Sequence, residues 1–150
     1  MGKFFKQAHI LVTGPSGAGK STMARKVSEE RGLPLISLDS YPEWKSYEAN
    51  KATQSYDDVA QVLINKGLAE PEFSVIEGQQ FMKLQKVPKD HEFIVVDPGK
   101  EQVIKQRVER SKRKAEQSGE VVDAEFMSKK EQAAAELYDL AKKDLIRLGY

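Results

Sequence analysis

The stretch Gly14-Pro15-Ser16-Gly17-Ala18-Gly19-Lys20-Ser21 follows the pattern G-x-x-x-x-G-K-S/T, and no other part of the chain restricts the fold as tightly. The glycines let successive backbone N–H groups curl around an anion, and the positive end of a helix dipole adds to the attraction. Lys20 supplies a point charge for the outer phosphates of a nucleoside triphosphate, and Ser21 supplies a hydroxyl for Mg²⁺. The loop works only between the end of a buried strand and the start of a helix. Both flanks comply. Ala8 to Thr13 is apolar and β-rich, while Met23, Ala24 and Val27 recur at helical spacing until Gly32 and Pro34 stop the helix. The nucleotide-binding set read here is Gly14, Pro15, Ser16, Gly17, Ala18, Gly19, Lys20, Ser21 and Thr22.

The remaining elements alternate. Leu33 to Leu38, Phe73 to Ile76 and Phe93 to Val96 read as further buried strands, broken by Glu77-Gly78 and by Asp97-Pro98-Gly99. Val59, Val62 and Leu63 mark a short helix ended by Gly67, and Tyr41 to Ser55 shows no clear period. From Gly99 onward the chain reads helical, with a loop at Ser118-Gly119. A capping box at Ser128-Lys129-Lys130-Glu131 precedes an apolar stripe from Ala134 to Leu148. Apolar strands alternating with helices predict an α/β three-layer sandwich around a short parallel sheet of four or five strands, the P-loop NTPase fold.

Composition narrows the function. Lys and Arg number 24 against 23 Asp and Glu, a net charge of +1, where a dedicated nucleic-acid binder carries a strong basic excess. With no cysteine, disulfides, thiolate metal sites and Cys nucleophiles are excluded. No apolar run approaches the roughly 20 residues that cross a bilayer. The first residues lack a secretory signal, and Gly2 lacks the Ser or Thr that myristoylation requires at position 6. The expectation is a single domain over 1–150 in a cytoplasmic protein without a membrane partner.

The loop names a triphosphate, and other residues must name the reaction. Asp39 closes the second strand. In a doubly wound sheet the carboxyl ends of the strands face the ligand crevice, so Asp39 is placed to orient an acceptor hydroxyl or take its proton. Glu77 closes the third strand and is the favoured metal-side acid together with Ser21, ahead of Asp97, whose Asp-Pro-Gly setting reads as a turn. Lys105, Arg107, Arg110, Lys112, Arg113 and Lys114 crowd one stretch with only Glu109 opposing them. Residues 105–119 are expected to form a basic lid, mobile until a triphosphate closes it. Helical spacing puts Arg107 and Arg110 on a shared face and makes them the catalytic candidates beside Lys20 and Asp39. Tyr41, Trp44 and Tyr47 read first as the local core of an irregular segment and alternatively as a surface that could stack on a planar base, whose edges Gln79, Gln80 and Phe81 could read.

The set Gly14–Ser21, Leu38-Asp39-Ser40-Tyr41, Val75-Ile76-Glu77-Gly78 and Arg107-x-x-Arg110 resembles P-loop kinases of the uridine kinase and nicotinamide riboside kinase type. The resemblance implies an ATP- and Mg²⁺-dependent transfer of a γ-phosphoryl group to a small acceptor, a nucleoside or nucleotide. Asp39 would be the acceptor-site acid, Glu77 would lie by acceptor and metal, and Arg107 and Arg110 would sit on the lid. The chain departs from that type at Leu145–Tyr150, where a fifth strand and a segment near the adenine would follow. Alternatives are a kinase acting on nucleic-acid ends or modified bases in DNA, and an NTP-dependent switch protein. Residues 35–80 carry eight acids against three bases, net −5, which disfavours a polyanionic acceptor.

Overall fold

The computed structural model describes residues 8–150, so the expectations for Gly2 and the first seven positions lie outside the described residues. Four parallel strands, β1 (Ile10–Thr13), β2 (Leu35–Ser37), β3 (Val75–Glu77) and β4 (Glu92–Val95), form one sheet in the order β2-β3-β1-β4. Five helices surround it: α1 (Lys20–Arg31), α2 (Pro42–Ala49), α3 (Tyr56–Leu68), α4 (Lys100–Gln117) and α5 (Ala124–Arg147). The chain runs outward from β1 to β2, returns to β3, then crosses to β4 on the far side of β1. The winding therefore reverses beside β1, and the crevice of a doubly wound sheet opens at such a reversal. No fifth strand occurs among the described residues, and none of their helices is long and apolar enough to cross a membrane.

Alternation along the strands builds the layers. Ile10, Val12 and Val75 pack with Ala24, Met23 and Val27 of α1 on one face. Leu11 and Ile76 pack with Leu63, Ile64 and Phe81 on the other. Because successive side chains point to opposite faces, a continuous apolar run at β1 and β3 demands cover on both sides, and α1 and α3 provide it. The outermost strands depart from the buried reading. Leu35 in β2 is 42% exposed, and the apolar residue that is fully buried, Leu38, lies beyond the strand in a 3-10 turn, Leu38–Ser40.

Two helical features differ from expectation. The segment after Asp39 is not irregular: α2 begins with Pro42 in its first turn, where the missing N–H costs nothing. It has no fully buried residue, which is why no apolar stripe marks it. The start of α5 lies earlier than the capping box suggests. Asp123 is the N-cap and accepts a hydrogen bond from the Phe126 N–H at 2.8 Å, while Ser128 and Glu131 lie inside the helix and are exposed. The basic stretch forms the middle of α4, and it has more apolar anchorage than its charge suggests. Val103, Val108 and Ala115 are buried, and α4 packs along α5.

Asp97, just after β4, joins the sheet to α5. Its carboxylate accepts from Tyr138 Oη at 3.0 Å, Lys142 Nζ at 3.1 Å and the Gly99 N–H at 3.1 Å. Burial acts to raise its pKa, but these donors outweigh burial and hold it below the ordinary value of 3.8.

Two outcomes follow. Asp123→Ala should destabilise the protein by about 1 kcal/mol in chemical denaturation, as loss of an N-cap does, whereas Ser128→Ala should change stability by less than about 0.5 kcal/mol. For Asp97, a folded pKa below the unfolded one means its stabilisation is present above pH 3.8 and is lost as pH falls through the folded value. Thermal melts of Asp97→Asn should therefore show a lower melting temperature at neutral pH and a gap to wild type that narrows in acid. A constant gap down to pH 2 would contradict this.

Candidate active site

The loop between β1 and α1 is shaped by what presses on it. Gly14 has φ of 153°, and a Cβ there would sit 2.2 Å from the Val96 carbonyl oxygen, so the backbone beyond β4 leaves room only for glycine. At Gly17, φ is 89° and a Cβ would meet Arg107 Cγ at 2.5 Å. The stem of Arg107 thus lies on the loop, and its Nη1 donates to the Ser16 carbonyl at 3.4 Å. Ala18 donates its N–H to the Pro15 carbonyl at 3.0 Å and buries its methyl beside Val103 and Tyr138. No side chain caps α1 at Gly19. The first N–H groups of α1 are left to a ligand, and this end of the helix favours an anion.

A polar hollow of about 210 Å³ lies over this helix start. Ser16, Gly17, Gly19, Lys20, Ser21 and Thr22 line it from the loop side. Asp39, Glu77, Gln79 and Arg110 line it from the strand ends and α4. Of the sequence-expected residues, Gly14, Pro15, Ala18 and Arg107 do not reach its wall: the first three shape the loop, and Arg107 packs over it. Asp97 does not line the hollow, since its carboxylate is taken up by α5.

The electrostatics centre on Lys20. Burial lowers its pKa, Glu77 and Asp39 pull it back up, and Arg110 and Arg107 push it down. A phosphate entering the hollow would supply the negative charge this lysine lacks. Burial, and then Arg110, also lower the pKa of Arg107.

Asp39 is held by a residue whose role the sequence did not show. Gln80 is fully buried, and its Nε2 donates to Asp39 Oδ1 at 2.8 Å. Gln80 therefore orients the acid instead of reading a base, and Phe81 is a fully buried core residue. β2 and β3 pair in parallel with Ser37 opposite Glu77, so the turns that follow them, Leu38–Ser40 and Gln79–Lys83, lie side by side. The neighbouring position Gly78 is cramped: a Cβ would lie 2.5 Å from Gln80 Oε1. Glu77 ends β3 nearly buried, 7% exposed. The following backbone is tied to β1 through Thr13 Oγ1, which donates to the Gly78 carbonyl at 2.8 Å. Among the aromatics, Tyr41 turns away and donates to Glu70 Oε1 at 2.6 Å, whereas Trp44 and Tyr47 line a second cleft next to the hollow.

The hollow's chemistry fits a magnesium triphosphate. A glycine loop and an uncapped helix start face it, and Ser21 and Glu77 supply the hard oxygen donors Mg²⁺ prefers. Among the described residues no group of three His, Asp or Glu side chains is placed to hold a metal ion; Mg²⁺ commonly takes most of its ligands from phosphates and water.

No family model and no curated protein matches the chain by sequence. Solved structures are similar to it in fold. A shikimate kinase from Acinetobacter baumannii in complex with shikimate is similar over 96% of this chain and 82% of its own, with a TM-score of 0.59 and 15% identity. A gluconokinase from Sinorhizobium meliloti 1021 is similar over 97% and 94%, with a TM-score of 0.47 and 18% identity. A shikimate kinase from Bacteroides thetaiotaomicron is similar over 91% and 82%, with a TM-score of 0.47 and 18% identity. At these identities the likeness speaks for the fold, and of these three the first carries it. The chain has the α/β fold of P-loop kinase structures, with a four-stranded parallel sheet.

Proposed function

We propose that the chain is a small-molecule kinase that moves the γ-phosphoryl group of ATP, with Mg²⁺, to a hydroxyl of a nucleoside- or nucleotide-like acceptor. One observation carries this: Asp39, held by Gln80, opens onto the same hollow as Lys20 and Ser21. An oriented acid beside the phosphates suits transfer to a hydroxyl, whose proton it can take. The P-loop kinase fold supports the class, and the resemblance to uridine and nicotinamide riboside kinases supports the kind of acceptor.

In this reading the residues divide the work. Loop N–H groups and Lys20 bind the outer phosphates. Ser21 and Glu77 would hold Mg²⁺, which would neutralise charge on the phosphate oxygens. Arg110 approaches from α4 to stabilise charge on the group in transfer, and Arg107, whose stem already lies on the loop, is one turn away to join it. Asp39 accepts the proton of the attacking hydroxyl.

Incubating the protein with γ-labelled ATP and a panel of nucleosides, nucleotides and DNA tests the class. Label in a small acceptor is the expected result, and ATP hydrolysis indifferent to every acceptor would reject it. Lys20→Ala should abolish transfer while leaving the melting temperature nearly unchanged, because the side chain serves the ligand and no core residue depends on it. Asp39→Asn should lower turnover by about 10²–10⁴-fold, the usual contribution of a general base, with ATP affinity little altered. A large loss of ATP affinity with turnover preserved would move Asp39 to the metal side.

A further inference from the structure

Beside the phosphate hollow lies a second cleft, of about 300 Å³, between the loop at Pro15-Ser16, the α2–α3 region and α5. The two share Ser16 and Gln79. The acidic end of the hollow also lies close: after burial, the charge of Asp39 is the next cause raising the pKa of Tyr56, which lines the cleft. A molecule seated here therefore borders the hollow that Asp39 lines.

The lining has two properties. One part is aromatic. Trp44 and Tyr47 lie 5.4 Å apart between ring centroids, and Tyr56 stands edge-on to them at 6.1 and 5.9 Å. Such a cluster offers a rigid apolar surface to a ring. The charged part is purely cationic: Lys51 and Arg107 line the cleft and no carboxylate does. Neither has an ion-pair partner among the described residues. Three acids of the surrounding sequence have partners of their own, although Asp57, like Asp39 and Asp144, also acts on Tyr56. Glu43 pairs with Lys66, Asp57 with Lys83, and Glu70 accepts from Tyr41. The net negative charge of residues 35–80 thus misdescribes the surface an acceptor would meet. Arg107 is half-buried and Lys51 is exposed beside the aromatic part of the cleft, so an anion reaching the cleft meets two cations without a competing carboxylate partner.

We propose that this cleft binds the phosphoryl acceptor, and that the acceptor is an anionic ring compound. Its ring lies against Trp44 and Tyr47, its phosphate or carboxylate meets Lys51, and its hydroxyl faces Asp39. This rests on the kinase reading and sharpens it, since a neutral nucleoside leaves Lys51 unused. In the transfer, the acceptor oxygen gives its proton to Asp39 and forms the new O–P bond. The bond from the γ-phosphorus to its bridging oxygen breaks, and the electron pair leaves with the nucleoside diphosphate.

Trp44 is the only tryptophan of the chain, so its fluorescence reports on the cleft without any turnover. The full chain is titrated with a nucleoside monophosphate, with the same nucleoside lacking phosphate, and with a hydroxylated cyclic carboxylic acid. The expected result is that one or both anionic probes perturb Trp44 with a Kd at least about tenfold below that of the neutral nucleoside. The two anionic arms distinguish phosphate from carboxylate. Lys51→Met should remove that preference while the neutral nucleoside binds as before. Equal binding of the neutral and anionic probes, an unchanged preference in Lys51→Met, or no response of Trp44 to any probe overturns the proposal. A separate transfer assay with labelled ATP and the probe that binds keeps the two levels apart. An anion held through Lys51 but never phosphorylated overturns the kinase reading and leaves the anion preference of the cleft standing.

Discussion

The close contact between the backbone beyond β4 and the entry of the phosphate loop fixes the geometry of everything functional. Val96 donates its N–H to the Thr13 carbonyl at 2.8 Å, and its own carbonyl occupies the space a side chain at Gly14 would need. The chain must turn there through a conformation that L side chains rarely adopt. Once the loop is bent, its outer surface at Gly17 receives the stem of Arg107, which seats α4. The position of α4 in turn brings Arg110 to the hollow and leaves Arg107 at the second cleft. Two glycines without side chains thus set where two arginines can go.

What the sequence disclosed, and what it hid, follows from the range of the interactions. The loop, its strand and its helix were legible because all the signals lie within the consecutive positions from Ala8 to Pro34, one motif and its flanks. Strand ends were legible as well, so Asp39 and Glu77 could be placed at the crevice from sequence alone. Gln80 could not. Its role depends on β2 lying next to β3, a pairing between residues about forty positions apart that no local pattern encodes. The helix α2 escaped notice because none of its residues is fully buried. The stripe that identifies a helix is an imprint of burial, and here the imprint is faint. The capping box at Ser128 was a false signal, since Asp123 had already satisfied the first turn.

Charge is the property that local reading handled worst. The span from 35 to 80 sums to an acidic segment, yet its carboxylates are distributed among lysines, a tyrosine hydroxyl and solvent, and the cleft beside it is lined by cations. Similarly, the run of like charges on α4 looked too polar to dock, yet Val103, Val108 and Ala115 recur on one side of the helix and are buried. Net charge is a sum, and a binding surface responds to direction. A few buried positions decide which way a charged helix faces, and the remaining residues have little part in that choice.

The narrowness of the sheet has a mechanical meaning. β4 is bonded to β1 on one side and, among the described residues, to no strand on the other. In a wider sheet the strand that backs the phosphate loop is clamped between two neighbours. Here it is braced from one flank by hydrogen bonds, and beyond its end by the clasp of Tyr138 and Lys142 on Asp97. Helix α5 therefore takes over, from behind, the stiffening that another strand would supply. Any force that pulls α5 from the sheet slackens the support of Val96 against Gly14, so the loop's curvature depends on a helix that does not line the phosphate hollow.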